Sequence, residues 1–207
     1  MKRPLIVLAG PTAVGKSELS IALAKQIGGA VISADSIQVY RYMDIGSAKI
    51  TKEEMQGIDH YLVDEFLPDE EFHVVKFQTY AKKYIEEIYQ KGQIPILVGG
   101  TGFYIQALLK EVDFTESHGE LPIRKQLEEK AATEEGAAEL YRELSEVDPA
   151  SAETIHPNNV KRVIRALEYY HETGQKISEH NEEQKQKESP YCSAYFVLND
   201  ERSILYD

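Results

Sequence analysis

The sequence has a single cysteine, no long apolar run and fewer basic than acidic side chains. Because Cys192 has no second thiol to pair with, an internal disulfide is excluded. No apolar stretch approaches the roughly 18 residues of a membrane-spanning helix. The apolar stretch near the start of the chain, residues 5–9, is too short for the core of a signal peptide. We therefore expect a cytoplasmic chain with no membrane partner.

The charge of the chain is strongly negative and unevenly distributed. Lys and Arg number 23 against 35 Asp and Glu, a net charge of −12. Residues 112–190 carry much of this excess, with 10 basic and 18 acidic side chains. Such a field opposes binding to a nucleic acid backbone. Residues 154–167, however, contain Lys161, Arg162 and Arg165 and no acid, so a local basic site is compatible with the overall charge.

A phosphate-binding loop follows the first apolar stretch and precedes a helical pattern. It matches G-x-x-x-x-G-K-[ST] at eight consecutive positions, which are Gly10, Pro11, Thr12, Ala13, Val14, Gly15, Lys16 and Ser17. Glycines allow backbone N–H groups to converge on phosphate oxygens, and the helix N terminus adds positive potential. Lys16 supplies a charge at the phosphates, and Ser17 is placed to bind Mg²⁺. We expect all eight residues to bind a di- or triphosphate.

Apolar strand-like runs alternate with helical patterns, as a parallel sheet with crossover helices requires. The predicted strands cover residues 5–9, 30–34, 61–63, 94–98 and 194–198. The predicted helices begin at Lys16 and at Val74, and Gly92 ends the second one. We predict an α/β fold of the P-loop NTPase-like class, a parallel sheet with helices on both faces. Residues 1–111 and 191–207 would form this core.

The segment 112–190 shows helical patterns without strands and is predicted to be an all-helical insertion domain. Pro122 opens one helix and Pro149 marks a turn. Pro157 opens a further helix, which stops near Gly174. The apolar stripe of that helix consists of Val160, Val163, Ile164 and Leu167.

The end of the chain departs from a complete pattern. Residues 179–188 are rich in Glu and Gln and are interpreted as a solvated linker that returns to the core. Residues 201–207 resemble the opening turns of a helix, so we expect the chain to be a fragment.

Polar residues follow two strands at the edge of the sheet beside the phosphate loop. Asp35 comes after the second strand, where open α/β sheets bind their ligands, and is the candidate general base. The alternative is that it caps a turn or helps to hold Mg²⁺ through water. Thr101 lies in the turn after the fourth strand and would face the phosphate site. The alternative for Thr101 is an ordinary helix N-cap.

Two further features have both a functional and a simpler interpretation. Gln38 offers a donor and an acceptor that suit an adenine edge, although a Gln in a loop is often only solvated. Lys161 and Arg165 share a basic helix face with Arg162 nearby, and such a face often meets only solvent or neighbouring carboxylates.

Several blocks of the sequence together resemble one enzyme family. The phosphate loop is followed by Asp35, Ser36 and Gln38, and then by Met43, Asp44, Ile45, Gly46, Ala48 and Lys49. Further matching residues are His60, Asp64, Gly99, Gly100, Thr101, Gly102, Tyr104, Leu108, Val147, Asp148, Pro149, His156, Pro157, Asn158, Arg162, Arg165, Ala166, Leu167 and Glu168. In this combination the chain resembles the bacterial tRNA dimethylallyltransferases, or tRNA isopentenyltransferases, of the IPP transferase family. Members of that family continue further, so the chain is expected to lack their C-terminal part.

The resemblance implies transfer of a dimethylallyl group from dimethylallyl diphosphate to N6 of the adenosine immediately 3′ of the anticodon in tRNA. It implies that Asp35 is the base and that Thr101 contacts the adenosine and the diphosphate. Lys16 would stabilise the leaving diphosphate, with Mg²⁺ on Ser17. The basic helix face and Arg124 would bind the RNA backbone. The residues expected to bind tRNA are Asp35, Ser36, Ile37, Gln38, Thr101, Arg124, Lys161, Arg162, Val163, Ile164 and Arg165.

Two other functions share some of these features. A small-molecule or nucleotide kinase would also have a phosphate loop, an Asp after the second strand and a helical lid. In that enzyme Arg124 or Arg162 would contact the γ-phosphate of ATP. A phosphate-loop switch of the GTPase type is disfavoured, because the sequence has no N-K-x-D segment to read guanine. We expect the chain to be a monomer.

Overall fold

The structure, a computed structural model, describes residues 2–114 and 122–200. The chain divides into two compact units, Met1–Val112 with Glu188–Asp207, and Asp113–Lys187. We call the first the core unit and the second the helical unit. The boundaries predicted from the sequence lie within three residues of this division. Among the described residues, no helix is both long enough and apolar enough to cross a lipid bilayer.

The core unit is organised around a parallel β-sheet. The strands in the described residues are β1 (Arg3–Ala9), β2 (Gly29–Ser33), β3 (His60–Tyr61), β4 (Ile94–Gly99) and β5 (Tyr191–Val197). They follow the order β3-β2-β4-β1-β5, and each pair of neighbours is parallel. In the register of the central strands, Ile96 of β4 lies between Ile6 of β1 and Val31 of β2. The carboxyl ends of β1, β2 and β4 therefore meet at one edge of the sheet.

Helices cover both faces of this sheet. They are α1 (Lys16–Ile27), α2 (Val74–Gln90) and α3 (Gly102–Leu109). On one face, Val31 and Ile96 pack with Ala24 of α1. On the other face, the strands pack against α2 through Phe77 and against α3 through Ile105. Because both faces are covered, the central strands are almost continuously apolar. The predicted α/β class with helices on both faces is confirmed.

All five predicted strands have somewhat different limits in the structure, and the differences are largest at β3 and β5. β3 ends at Tyr61, earlier than predicted, because Leu62 has a φ of 61°, in the left-handed region where a strand does not continue. β5 begins at Tyr191, earlier than predicted, because it pairs with β1 from Arg3 onward. The helix predicted for residues 201–207 lies outside the described residues.

The described part of the helical unit contains helices and no strand. These helices are α4 (Pro122–Lys130), α5 (Glu134–Val147), α6 (Pro149–Thr154), α7 (Val160–Thr173) and α8 (Ile177–Gln186). Their shared core includes Leu140 and Leu144 of α5 and the predicted apolar stripe of α7. The amphipathic pattern of α7 therefore packs this helix against α5.

Two features of the helical unit differ from the sequence prediction. α7 begins at Val160 and not at Pro157, because a turn precedes it in which the N–H of Asn159 donates to the carbonyl oxygen of His156. Most of residues 179–188, predicted to be a solvated linker, belong to α8.

A buried carboxylate stabilises the start of α8. Asp148 is 2% exposed and is the N-cap of α6, where Pro149 begins a short helix. It accepts hydrogen bonds from the N–H and hydroxyl groups of Ser151, and from the same two groups of Ser178 in the first turn of α8. Burial alone would raise the pKa of Asp148, but these hydrogen bonds outweigh it and lower the pKa. One side chain thus caps two helices.

We expect Asp148→Asn to lower the free energy of unfolding by about 1–3 kcal/mol, because the amide leaves buried donors without an acceptor. The folded pKa of Asp148 lies below its unfolded value, which is about 3.9. Its stabilisation is therefore present above the unfolded value and is lost as the pH falls through the folded pKa. Urea unfolding at neutral and acidic pH measures both effects. The control is Glu146→Gln, an exposed acid on α5, and equal midpoints for the two variants would contradict the assignment.

Candidate active site

The phosphate loop joins β1 to α1 through a backbone that few side chains tolerate. Gly10 has a φ of 147°, and a Cβ there would lie 2.3 Å from the carbonyl oxygen of Leu198. Gly15 has a φ of 82° and is the N-cap of α1. The first N–H groups of α1 have no partner within the helix and are available to an anion. The two glycines of the motif are therefore required by close approach and by backbone conformation.

Lys16 is the first residue of α1, and its side chain turns back over the loop. Its Nζ donates to the carbonyl oxygen of Pro11 at 2.5 Å. Burial lowers the pKa of Lys16, and the negative charge of Asp35 acts in the opposite direction. An ammonium has three N–H donors, so two remain for the oxygens of a bound phosphate.

The loop borders a pocket of about 650 Å³. The lining residues are Thr12, Ala13, Gly15, Lys16, Ser17, Glu18, Ile21, Asp35, Gln38, Ser47, Ala48, Lys49, Ile50, Glu54, Gln56, Val98, Gly99 and Gly100. The structure thus places Lys16, Ser17 and Asp35 on one pocket. Thr101 follows directly after the glycines that line it.

Asp35 stands at the end of β2 with one carboxylate oxygen engaged. Its Oδ1 accepts hydrogen bonds from the N–H groups of Ile37 at 2.8 Å and Gln38 at 3.2 Å. The turn-capping alternative is therefore present in the structure. It leaves Oδ2 without a hydrogen-bond partner among the described residues, so capping does not prevent Asp35 from accepting a proton. Ser36 is half-buried in the same turn, and Ile37 is exposed.

The turn after β4 is pressed against the end of β2. A Cβ on Gly99 would lie 2.3 Å from the carbonyl oxygen of Ala34, and the N–H of Thr101 donates to that same oxygen at 3.3 Å. Thr101 occupies the N-cap position of α3, as its alternative interpretation predicts, but its hydroxyl makes no capping hydrogen bond. The side chain therefore remains available to a ligand.

Gln38 contacts the protein more extensively than the sequence indicates. Its amide nitrogen donates to the carbonyl oxygens of Ser47 at 3.3 Å and Ala48 at 3.0 Å, while its Oε1 accepts from Ser33 at 3.4 Å. Both N–H donors are used, but Oε1 keeps one lone pair. Gln38 can therefore accept a hydrogen bond from a nucleobase while keeping its hydrogen bonds to the protein.

Few side chains at this pocket are suited to bind a metal ion. The described residues contain no group of three or more His, Cys, Asp or Glu side chains suited to a metal. Ser17 offers an exposed hydroxyl that lines the pocket. Mg²⁺ commonly takes one or two protein ligands and completes its shell with phosphate oxygens and water. Ser17 therefore fits Mg²⁺ bound together with a diphosphate.

Comparison with known proteins assigns the chain to a family. The family model of IPP transferase matches residues 38–207, most of the chain. The chain belongs to the IPP transferase family. The matched residues begin at Gln38 and include the segment around Lys49, the end of β4 and the whole helical unit.

Individual members of the IPP transferase family extend this result. A tRNA dimethylallyltransferase of Lachnoclostridium phytofermentans is 65% identical over 99% of this chain, which spans 65% of that relative's length. A solved structure of a eukaryotic dimethylallyltransferase acting on tRNA is 40% identical with a TM-score of 0.81, and the match covers 95% of this chain and 48% of that one. A tRNA delta(2)-isopentenylpyrophosphate transferase of Staphylococcus epidermidis is 43% identical with a TM-score of 0.62, covering 99% and 66% of the two chains.

The basic residues of the helical unit that were predicted to bind tRNA divide into two kinds. Lys161 and Arg162 are exposed in the first turn of α7. Arg165 and Arg124 are both bound to Glu168, whose carboxylate is 1% exposed and accepts from their Nη1 atoms at 2.9 Å and 3.3 Å. The simpler interpretation of the α7 face, that its cations meet neighbouring carboxylates, therefore holds for Arg165, and Arg124 is paired with the same carboxylate. The sequence marks Glu168 only as one of the residues that resemble the family, and no local pattern identifies it as the partner of these arginines.

Two residues predicted to bind tRNA have side chains in the protein core. Val163 and Ile164 are 1% and 5% exposed, and they pack against α5. The prediction is wrong for these two side chains, because the apolar stripe that identifies α7 as amphipathic is the face that the unit buries.

We expect Lys16→Met to weaken binding of inorganic pyrophosphate with Mg²⁺ by about 10- to 150-fold, since a hydrogen bond to a charged group contributes about 1.5–3 kcal/mol. Because burial lowers the pKa of Lys16, affinity in the parent chain should begin to fall at a lower pH than the 10.5 typical of an exposed lysine. Isothermal titration calorimetry across alkaline pH measures both. The control is Lys25→Met on the same helix, and similar losses for both variants would contradict the role of Lys16.

Proposed function

We propose that this IPP transferase transfers a dimethylallyl group from dimethylallyl diphosphate to N6 of the adenosine immediately 3′ of the anticodon in tRNA. The observation that carries the proposal is the shared pocket, which Lys16 and Asp35 both line at the carboxyl ends of the strands. A cation for a leaving diphosphate and a carboxylate for an attacking amine are what this reaction needs. The relatives described above support the same reaction.

The phosphate loop would act on the leaving group. As the allylic C–O bond breaks, its electron pair departs with the diphosphate and negative charge grows on the oxygens. The two unused N–H donors of Lys16 and the first N–H groups of α1 would stabilise that charge in the transition state. Mg²⁺, held by Ser17 and the diphosphate oxygens, would supply further charge neutralisation. No phosphoryl group is transferred.

Asp35 would act on the nucleophile. The lone pair of adenine N6 is delocalised into the ring, so removing its proton as the new C–N bond forms assists the attack. The N–H groups of Ile37 and Gln38 hold Oδ1 of Asp35, and Oδ2 would take the proton. Oε1 of Gln38 would accept a hydrogen bond from the adenine ring system and so orient it. The hydroxyl of Thr101 would contact the adenosine and the diphosphate.

The adenosine must leave its stack to reach such a pocket, and the bases of an anticodon loop are already exposed for this. Lys161 and Arg162 would bind backbone phosphates of the tRNA with their full charge. Arg165 and Arg124 would contribute the N–H donors that Glu168 and Glu128 do not occupy.

A kinase would use the same phosphate loop, but the comparisons with known proteins give it no support. The relatives described above are transferases of an allylic group to tRNA by name. Binding of dimethylallyl diphosphate and of ATP, each with Mg²⁺, discriminates between these functions, and preference for ATP would contradict the prenyl transfer.

We expect Asp35→Asn to slow single-turnover transfer to an anticodon stem-loop by about 10² to 10⁴-fold, because the variant lacks a proton acceptor. Its affinity for dimethylallyl diphosphate should remain close to that of the parent chain. Radiolabelled transfer assays and calorimetry measure the two quantities. The matched control is Asp69→Asn, an exposed acid of the core unit. A large loss of diphosphate affinity in Asp35→Asn would assign Asp35 to Mg²⁺ instead.

We expect Arg162→Ala to weaken binding of the stem-loop and to reduce the slope of log affinity against log salt by about 0.7, the value for one contact to a single-stranded phosphate. Fluorescence anisotropy across a salt series measures the slope. Arg142→Ala removes an exposed cation from α5 and serves as the control. An unchanged slope for Arg162→Ala would remove this residue from the RNA-binding surface.

A further inference from the structure

A second lysine lines the pocket, and its charge is directed into the protein. The side chain of Lys49 is 4% exposed. Its Nζ donates to the carbonyl oxygen of Tyr40 at 2.7 Å, to Oδ1 of Asp44 at 2.7 Å and to Oδ1 of Asp64 at 2.6 Å. These three contacts use all the N–H donors of an ammonium. Lys49 therefore has no donor left for a phosphate, unlike Lys16.

The charge of Lys49 is stable in this environment. Burial favours the neutral amine, but the hydrogen bonds and charges of Asp44 and Asp64 outweigh it, so the pKa of Lys49 is raised. Both carboxylates are partly exposed, and the ammonium between them is not. Removing the ammonium would leave two like charges facing each other beside the pocket.

The Lys49 cluster is connected to Asp35 through Gln38. The N–H of Asp64 donates to the carbonyl oxygen of Gln38 at 3.1 Å. The side chain of Gln38 donates to Ala48, the residue before Lys49. The N–H of Gln38 in turn donates to Oδ1 of Asp35. Lys49 thus holds both segments that contact Gln38, and Gln38 contacts the candidate base.

The backbone around Lys49 needs such support. Ala48 and Asp64 have φ values of 47° and 55°, in the left-handed region that side chains other than Gly occupy at a cost. Each of these residues bonds to Gln38, through its carbonyl oxygen or its N–H. Ordinary φ values at either position would change the direction of that bond. The ion cluster is a second contact between the two segments, because Lys49 binds both Asp44 and Asp64.

We propose that Lys49 is a positioning residue for the transfer reaction, which holds residues 44–49 and Asp64 against Gln38 and so fixes the carboxylate of Asp35. This inference rests on the proposed function for its catalytic consequence. Its structural part, the coupling of Lys49 to the turn that contains Asp35, stands on the contacts alone.

We expect Lys49→Met to lower the single-turnover rate of transfer at saturating dimethylallyl diphosphate by about 100-fold, the scale of a displacement near 1 Å. Affinity for dimethylallyl diphosphate should stay near that of the parent chain, because Lys49 has no free donor for it. A residue that served only folding would change both quantities together. The control is Lys52→Met, an exposed lysine three positions later.

Amide hydrogen exchange in the same variants tests the coupling without turnover. In Lys49→Met, the N–H groups of Gln38 and Asp64 should exchange faster, while that of Val98 in β4 should exchange as in the parent chain. If Lys49→Met does not fold, Asp64→Asn provides a milder variant of the same cluster, with a smaller effect of the same kind.

The outcomes separate the two proposals. If the parent chain transfers nothing to the stem-loop, the proposed function fails, and exchange at Gln38 decides whether Lys49 is coupled to this turn. If the parent chain is active and Lys49→Met matches Lys52→Met in rate and exchange, Lys49 has no positioning role. A selective loss of rate with faster exchange at Gln38 would support the inference.

Discussion

The pocket depends on the close approach of β2 and β4 at the point where both strands end. Gly99 leaves no room for a side chain against the carbonyl oxygen of Ala34, and that oxygen also receives the N–H of Thr101. Asp35 follows Ala34 in the chain, so the same contact fixes the backbone position from which the Asp35 side chain extends. The phosphate loop has an equivalent constraint at Gly10, whose backbone meets that of Leu198. Two backbone contacts thus bring the candidate base and the phosphate cradle to one edge of the sheet.

The two lysines of the pocket show how the same charge can have different uses. Lys16 has one protein acceptor and keeps donors for a ligand, whereas Lys49 has three acceptors and keeps none. An anion entering the pocket therefore meets a single available ammonium together with the N terminus of α1. The buried ammonium of Lys49 instead pairs with two carboxylates of the protein, Asp44 and Asp64.

Local patterns in the sequence predicted the features that depend on residues close together along the chain. The phosphate loop, the alternation of strands and helices and the apolar stripe of α7 each follow from spacing, and the structure contains all three. The sequence did not predict polar contacts between distant segments. Glu168 binds Arg124 on another helix, and Gln38 binds the loop at Ala48. No periodicity marks such partners, so an RNA-binding face drawn from the sequence included cations that the protein already pairs and apolar residues that it buries.

The shared cap at Asp148 makes two separate helices one cooperative element. If α8 detaches at its start, the carboxylate loses the two donors of Ser178 and the N terminus of α6 loses part of what holds its cap in place. Local opening of either helix therefore lowers the cost of opening the other. Peptide bonds in α6 and in α8, far apart in the sequence, should become susceptible to proteolysis together and not one after the other.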